Sequence, residues 1–244
     1  GRPERVLLLA AVGLSVYGAL LTQSRGPLLA YVPALVFLLF WRARRTGRWR
    51  LAVLVLAGMV VGATVATYAT HDELSERFAS IAPAVATYGE RQHVHSAVHE
   101  RLDMWRAAGR ALREHPWVGI GTGNFHRYAE GEIAAGRSSP AIGRYNQPHN
   151  EYLEAAASVG VPGLLVLLAT FLLPLGYFVR GVDDSDAAVH VPACAGVAVV
   201  ILYMLCALTD SVFYRVMPLS FYFFVVLGMA LLIGRQRSVM LAAD

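Results

Sequence analysis

From Val6 to Trp41 the chain is apolar almost without interruption, broken by Gln23, Ser24 and Arg25. One continuous helix over that run would be about 54 Å long, nearly twice a hydrocarbon core of roughly 30 Å. The run therefore folds back, and Ser24-Arg25-Gly26-Pro27 supplies the turn residues. The pattern predicts helices over about 6–22 and 27–40, with Arg25 at the tip and Pro33 as a possible kink. Further apolar runs cover about 51–68, 161–179, 189–208 and 217–233. The prediction is an all-α polytopic membrane protein with about six transmembrane helices and a mostly helical outer loop domain.

Charge placement gives the orientation. Between spans two and three, Trp41-Arg42-Ala43-Arg44-Arg45-Thr46-Gly47-Arg48-Trp49-Arg50 carries five Arg alongside two interfacial Trp residues, the mark of a cytoplasmic loop. Fixing it inside brings residues 1–5, 180–188 and the tail from Gly234 inside as well. Those segments hold Arg2, Arg5, Arg180, Arg235 and Arg237, while the short outer turns hold only Arg25 and Arg215. The polar stretch 69–160 then lies outside. The expected organisation is 1–68 (spans one to three), 69–160 (outer loop domain) and 161–244 (spans four to six).

Composition agrees with a bilayer. Of 244 residues, 56% are hydrophobic and 16% charged, against about 25% charged in an ordinary soluble domain. The 21 basic residues are all Arg and face 17 acidic ones, for a net charge of +4. Because the Arg residues sit at membrane edges and in one loop, lipid phosphate is the expected partner rather than nucleic acid. Cys194 and Cys206, twelve positions apart in one apolar run, would stand roughly 18 Å apart on a helix and cannot bridge. No small-residue cleavage site follows the first run, so it reads as a span and not a signal peptide. A start at Gly1 reads as a trimmed chain.

The loop holds three pieces of interest. Residues 99–115 predict an amphipathic helix ended by Pro116. Arg106, Arg110 and Arg113 share one side, read as a solvated or headgroup face. Arg101 aligns instead with Trp105, Ala108 and Leu112 on the packing side. Its stem is either buried with the head snorkelling to water, or the head is aimed at an anionic ligand.

The glycines of Pro116-Trp117-Val118-Gly119-Ile120-Gly121-Thr122-Gly123-Asn124-Phe125 complete no nucleotide-binding pattern and read as tight turns. Last, Asn150 caps a short helix that stops at Gly160, placing His149, Tyr152, Leu153 and Ala156 near one face above the next span. A lone His is more often structural, but one at a water–membrane boundary beside Arg is a better candidate for chemistry. Glu151 and Glu154 are lesser candidates and read rather as helix-start and headgroup-side charges.

Other chemistries find little support. His93, His95 and His99 are spaced H-x-H-x3-H, but nothing nearby completes a metal site. Ser24 lacks a G-x-S-x-G elbow. No metal and no cofactor is expected. Arg25 would cost about 2.5–3.5 kcal/mol at a bilayer midplane but much less at a hairpin tip. Asp210 and Arg215 flank the last outer turn and predict an interfacial salt bridge.

Three pieces in this order resemble the bacterial O-antigen ligase and O-antigen polymerase superfamily. They are Ser24-Arg25-Gly26; Arg101-Leu102-Asp103-Met104-Trp105 followed by His115-Pro116-Trp117-Val118-Gly119-Ile120-Gly121-Thr122-Gly123-Asn124-Phe125; and His149-Asn150-Glu151-Tyr152-Leu153-Glu154 with Gly160-x-x-Gly163. The resemblance implies a glycosyltransferase of the bacterial inner membrane working on its periplasmic face. It implies transfer of a glycan from undecaprenyl diphosphate, with inversion and without metal, to an acceptor hydroxyl. The acceptor is a lipid A–core sugar in ligases and a carrier-linked repeat in polymerases.

By the same resemblance the functional arginines map onto Arg25 and Arg101 and the functional histidine onto His149. Arg215, Tyr152 and Asn150 join the two arginines as expected diphosphate or glycan contacts. Members of that superfamily usually carry several more helices ahead of this region. Guanidinium groups suit a departing diphosphate because they bind it bidentately and stay charged. His149 could take the acceptor proton or, protonated, bind the diphosphate. The readings set against this one are a lipid-linked glycan transporter, which would want ionisable groups inside several spans, and a non-catalytic scaffold.

Overall fold

A computed structural model describes residues 25–50, 52–58 and 97–243, and among these it is helical with no strand. The helices are α1 (Arg25–Thr46), α2 (Ala97–Glu114), α3 (Phe125–Ala134), α4 (Glu151–Val179), α5 (Ala187–Cys206) and α6 (Val216–Ala243), with a 3-10 turn over Pro140–Arg144 before α4. Three of them are long and apolar enough to cross a membrane: Glu151–Val179, Ala187–Cys206 and Val216–Ala242. These correspond to the predicted runs 161–179, 189–208 and 217–233, the second ending at Cys206, two residues before the predicted end. The predicted helix over 6–22 lies outside the described residues, and of the run 51–68 only residues 52–58 are described, as helix.

The predicted helix over 27–40 is α1, which continues through Arg44 and Arg45 in its last turn and contains Pro33. It packs along α5 and runs antiparallel to it. The Trp41 indole donates to the Val182 carbonyl at 2.9 Å, and Arg45 donates to the Asp184 carbonyl just before α5 begins. The same end gathers the tail of α6, where Gln236 donates to Asp186 at 2.7 Å. The segments expected inside, those around Trp41–Arg50, 180–188 and 234 onward, therefore share one end of the bundle. The start of α1 is carried toward the opposite end.

Between the apolar helices an aromatic cluster forms the core. Phe171 and Tyr222 meet edge-on at 5.7 Å, and the Tyr222 hydroxyl donates to the Thr170 carbonyl at 2.7 Å. A second core lies at the other end, where Met104, Ala107, Ala108 and Ala111 of α2 bury against Phe125, Ala129, Ile142 and Ala157. The alanines let α2 approach the first turns of α4 closely.

The expected stop at Gly160 is instead a kink. Gly160 takes φ 75° and ψ −161° inside α4, and the helix resumes beyond it. The Val161 N–H turns to the Pro116 carbonyl at 2.7 Å, and Pro162 has no N–H to lose. The α2–α3 loop is thereby clipped to the kink, with Ile120 N–H donating to Ala157 and Gly121 N–H to Ser158, both at 2.9 Å. A Cβ on Gly119 would stand 2.3 Å from the Ser158 carbonyl carbon, and one on Gly160 2.4 Å from the Pro116 oxygen. The tight turns expected of these glycines thus serve a mutual close approach of two backbones.

Candidate functional site

The first turn of α4 is held by its own polar side chains. Asn150 caps it, accepting from the Leu153 N–H at 3.0 Å, as the sequence predicted. Its amide also donates to the Leu208 carbonyl at 3.0 Å, and the Tyr152 hydroxyl donates to the Met204 carbonyl at 3.0 Å. The Glu151 N–H donates to the Ala207 carbonyl at 2.8 Å, and its carboxylate accepts from the Phe213 N–H at 2.8 Å. The start of α4 is thus stitched to the end of α5 and to the turn leading into α6.

Those bonds bring His149 and Asp210 together. The His149 Nδ1 lies 3.2 Å from Asp210 Oδ1, with the two side chains 26% and 51% exposed. His149 has φ 52°, the one positive value at a non-glycine among the described residues, a backbone state uncommon outside glycine. Its ring meets Tyr145 edge-on at 5.5 Å. Tyr145 in turn donates to Glu100 at 2.6 Å, and Arg144 donates to both Glu100 oxygens at 2.8 and 2.6 Å. On the other side, the Trp105 indole donates to the Pro148 carbonyl at 3.0 Å, fixing the residue before His149 from α2.

The bond to His149 holds the Asp210 carboxyl below the usual carboxylate range. Partial burial opposes this, while the Ser211 N–H, at 2.9 Å, and the nearby Arg215 charge add to it. With the proton on Nδ1, His149 donates to Asp210 and keeps a lone pair on Nε2. When both nitrogens are protonated, the imidazolium is paired with a carboxylate. The arrangement can accept a proton from a hydroxyl or present a positive charge to an anion.

Arg101 is exposed and makes no hydrogen bond or ion pair among the described residues. The expected packing face is rotated: burial centres on Glu100, Met104, Ala107, Ala108 and Ala111, because the alanines face α4. This leaves Arg101 on the flank, one turn before Trp105 and hence on the side of α2 that reaches Pro148. Arg25 opens α1, and the antiparallel packing on α5 carries that end toward Cys206; the Arg25 side chain lies outside the description. Arg215 is exposed in the turn before α6. The predicted Asp210–Arg215 salt bridge is not formed, since His149 takes the carboxylate.

Two other expectations change. Arg110 is not on a solvated face: its Nε pairs with the buried carboxylate of Glu132, and its Nη2 donates to Ser138 at 2.8 Å. Glu132 also pairs with Arg137. Burial pushes the Glu132 carboxyl up, but the hydrogen bonds from Arg137 and Arg110 prevail and hold it below the ordinary range. Glu151 and Glu154 are buried and hydrogen-bonded, to the Phe213 N–H and to Ser158, and so are not headgroup-side charges. Of the histidine triplet, His93 and His95 lie outside the described residues; among those described, no group of three metal-ligating side chains occurs.

Residues 10–168 match a family profile described as O-antigen ligase. A Haemophilus influenzae protein described as uncharacterized is 20% identical over 176 residues, 72% of this chain and 44% of that relative. The chain thus spans less than half the length of the relative it matches.

Proposed function

The chain belongs to the O-antigen ligase family, and on that premise we propose that it transfers a glycan from undecaprenyl diphosphate to an acceptor hydroxyl. The proposed acceptor is lipid A–core, and the proposed place is the periplasmic face of the bacterial inner membrane. The observation that carries the reading is the His149–Asp210 pair at 3.2 Å, held on a left-handed residue at the mouth of the apolar helices.

In the proposed reaction the acceptor oxygen attacks the anomeric carbon from the side opposite the diphosphate. The carbon–oxygen bond to the diphosphate breaks, and the configuration inverts. His149 Nε2 takes the hydroxyl proton, while Asp210 keeps the ring oriented through Nδ1 and stabilises the imidazolium that forms. Negative charge grows on the leaving diphosphate. Arg25 and Arg101, with Arg215 at the rim, are proposed to hold it through charge-assisted hydrogen bonds worth about 1.5–3 kcal/mol each. Only the part gained in the transition state accelerates transfer. Proposed in this way, the guanidinium groups supply the cationic charge and no metal is required. Asn150 and Tyr152, proposed as glycan contacts, also frame the site through their bonds to Leu208 and Met204.

Full-length protein reconstituted in vesicles with carrier-linked glycan and lipid A–core tests this. One attachment per acceptor, formed much more slowly in His149→Ala and Arg101→Ala, is the expected result. A ladder of lengthening glycans on the carrier would assign a polymerase. Glycan crossing the bilayer with no new glycosidic bond would assign a transporter and overturn the proposal.

A further inference from the structure

The loop between α2 and α3 ends in a tip that the proposed transfer does not use. Trp117 and Val118 are 72% and 75% exposed, an apolar pair that water ordinarily disfavours. Its backbone is nevertheless fixed. Gly119 N–H donates to His115 at 2.9 Å, and the bonds from Ile120, Gly121 and Val161 tie both flanks of the tip to residues 157–161 of α4. The close approach of Gly119 to Ser158 and of Gly160 to Pro116 holds the backbone on either side of the tip against α4.

The tip therefore stands level with the kink where α4 becomes an apolar span. Exposed apolar side chains continue from it along that helix, through Val159 to Leu165 and Val166. We propose that Trp117 and Val118 seat in the interfacial layer of the bilayer, forming a lipid-surface anchor that fixes the height of α2 above the membrane. Three observations converge on lipid as the occupant. The exposed surface is continuous with exposed apolar side chains of α4, a helix long and apolar enough to cross a membrane. Its leading residue is Trp, whose amphipathic ring favours the headgroup level. Its backbone is already ordered, so insertion costs little conformational entropy. By holding α2 at a set height, the anchor would keep Arg101 at the level of a lipid-linked diphosphate. That last consequence rests on the proposed function; the anchor itself does not.

The test is fluorescence of the full-length protein in phosphatidylcholine vesicles whose acyl chains carry bromine either near the headgroup or near the bilayer centre. The same measurement on Trp117→Phe, which keeps an apolar ring, gives the contribution of Trp117 by difference; Trp117→Tyr repeats the subtraction independently. The expected result is loss of most of that contribution with shallow bromines and a smaller loss with deep ones. A Trp117 contribution that is equally bright in brominated and plain lipid would overturn the anchor, as would quenching only by an added aqueous quencher. Neither donor glycan nor acceptor is present, so an inactive transferase leaves this outcome readable.

Discussion

His149 and Asp210, 61 positions apart, meet through Nδ1 and Oδ1 at 3.2 Å. The contact depends on chain elsewhere: Glu151 grips the Phe213 N–H and Asn150 the Leu208 carbonyl, which fixes the turn that carries Asp210. A histidine in an uncommon backbone state, oriented by a carboxylate from another helix pair, is the geometry on which the proposed proton transfer rests.

His149→Ala is therefore expected to lower transfer by about 10²–10⁴-fold, the usual contribution of a general acid–base group. Asp210→Asn keeps a hydrogen-bond acceptor at the same place but removes its charge, so its loss should be clear and smaller. Initial rates with saturating donor measure both, alongside the amount of folded protein. Equal rates in His149→Ala and the parent would remove His149 from the chemistry.

Acid should act through two carboxylates. Asp210 is held below the ordinary range by His149 against partial burial. Glu132 is lowered although burial pushes it up, because Arg137 and Arg110 outweigh that. A depressed folded value means that each contributes stability above its unfolded pKa, about 3.9 for Asp and 4.3 for Glu. Each loses that contribution as the pH falls through the folded value. Thermal midpoints in detergent should therefore drop steeply below about pH 4. Asp210→Asn and Glu132→Gln should each flatten part of the fall. An unchanged slope in both variants would contradict the assignment.

The clip between the α2–α3 loop and α4 makes a steric prediction. Gly160→Ala and Gly119→Ala combine a left-handed φ with a backbone collision near 2.4 and 2.3 Å. Strain of about 1–2 kcal/mol and overpacking of about 1–3 kcal/mol add, so each should destabilise by about 2–5 kcal/mol. Gly123→Ala has φ 78° but nothing within 4 Å, and only the strain of about 1–2 kcal/mol applies. Thermal denaturation of the three variants orders them, and Gly123→Ala should be clearly the mildest.

Much of this was legible along the chain, for reasons that differ by residue. The apolar runs read as α4, α5 and α6 because bilayer thickness constrains length directly. Asn150 was found because capping is a local signal, decided within three residues. The role of Asp210 was missed because its partner is 61 positions away, while Arg215, five positions on, offered an obvious but unused alternative. The face of α2 was rotated in the reading because Trp105 and Leu112 outweighed a row of small alanines. Small residues carry little hydrophobic signal, yet they allow the closest helix contact. Arg110 looked like a surface charge because Glu132, its buried counter-ion, belongs to a helix the hydrophobic pattern did not announce.

Arg101 and Arg110 lie on the same helix and should separate function from folding. Arg110 pairs with Glu132 and reaches Ser138 and the Arg137 carbonyl, so it locks α2 to α3. Arg110→Ala strips one of two cations from a carboxylate that is 1% exposed. Breaking a fully buried pair costs about 3–5 kcal/mol; because Arg137 remains and is half-exposed, about 2–3 kcal/mol is expected here. Arg101 touches no partner among the described residues and is exposed. Its removal should leave the stability read from the thermal midpoint within about 0.5 kcal/mol of the parent. If it holds the diphosphate in the transition state, the loss of about 1.5–3 kcal/mol lowers transfer by about 10–100-fold. Measured together, midpoint and rate should move oppositely in the two variants: stability falls in Arg110→Ala, and activity falls per folded molecule in Arg101→Ala. A fully active Arg101→Ala would leave Arg25 and Arg215 as the cations able to hold the leaving group, and the proposed division of labour on α2 would be wrong.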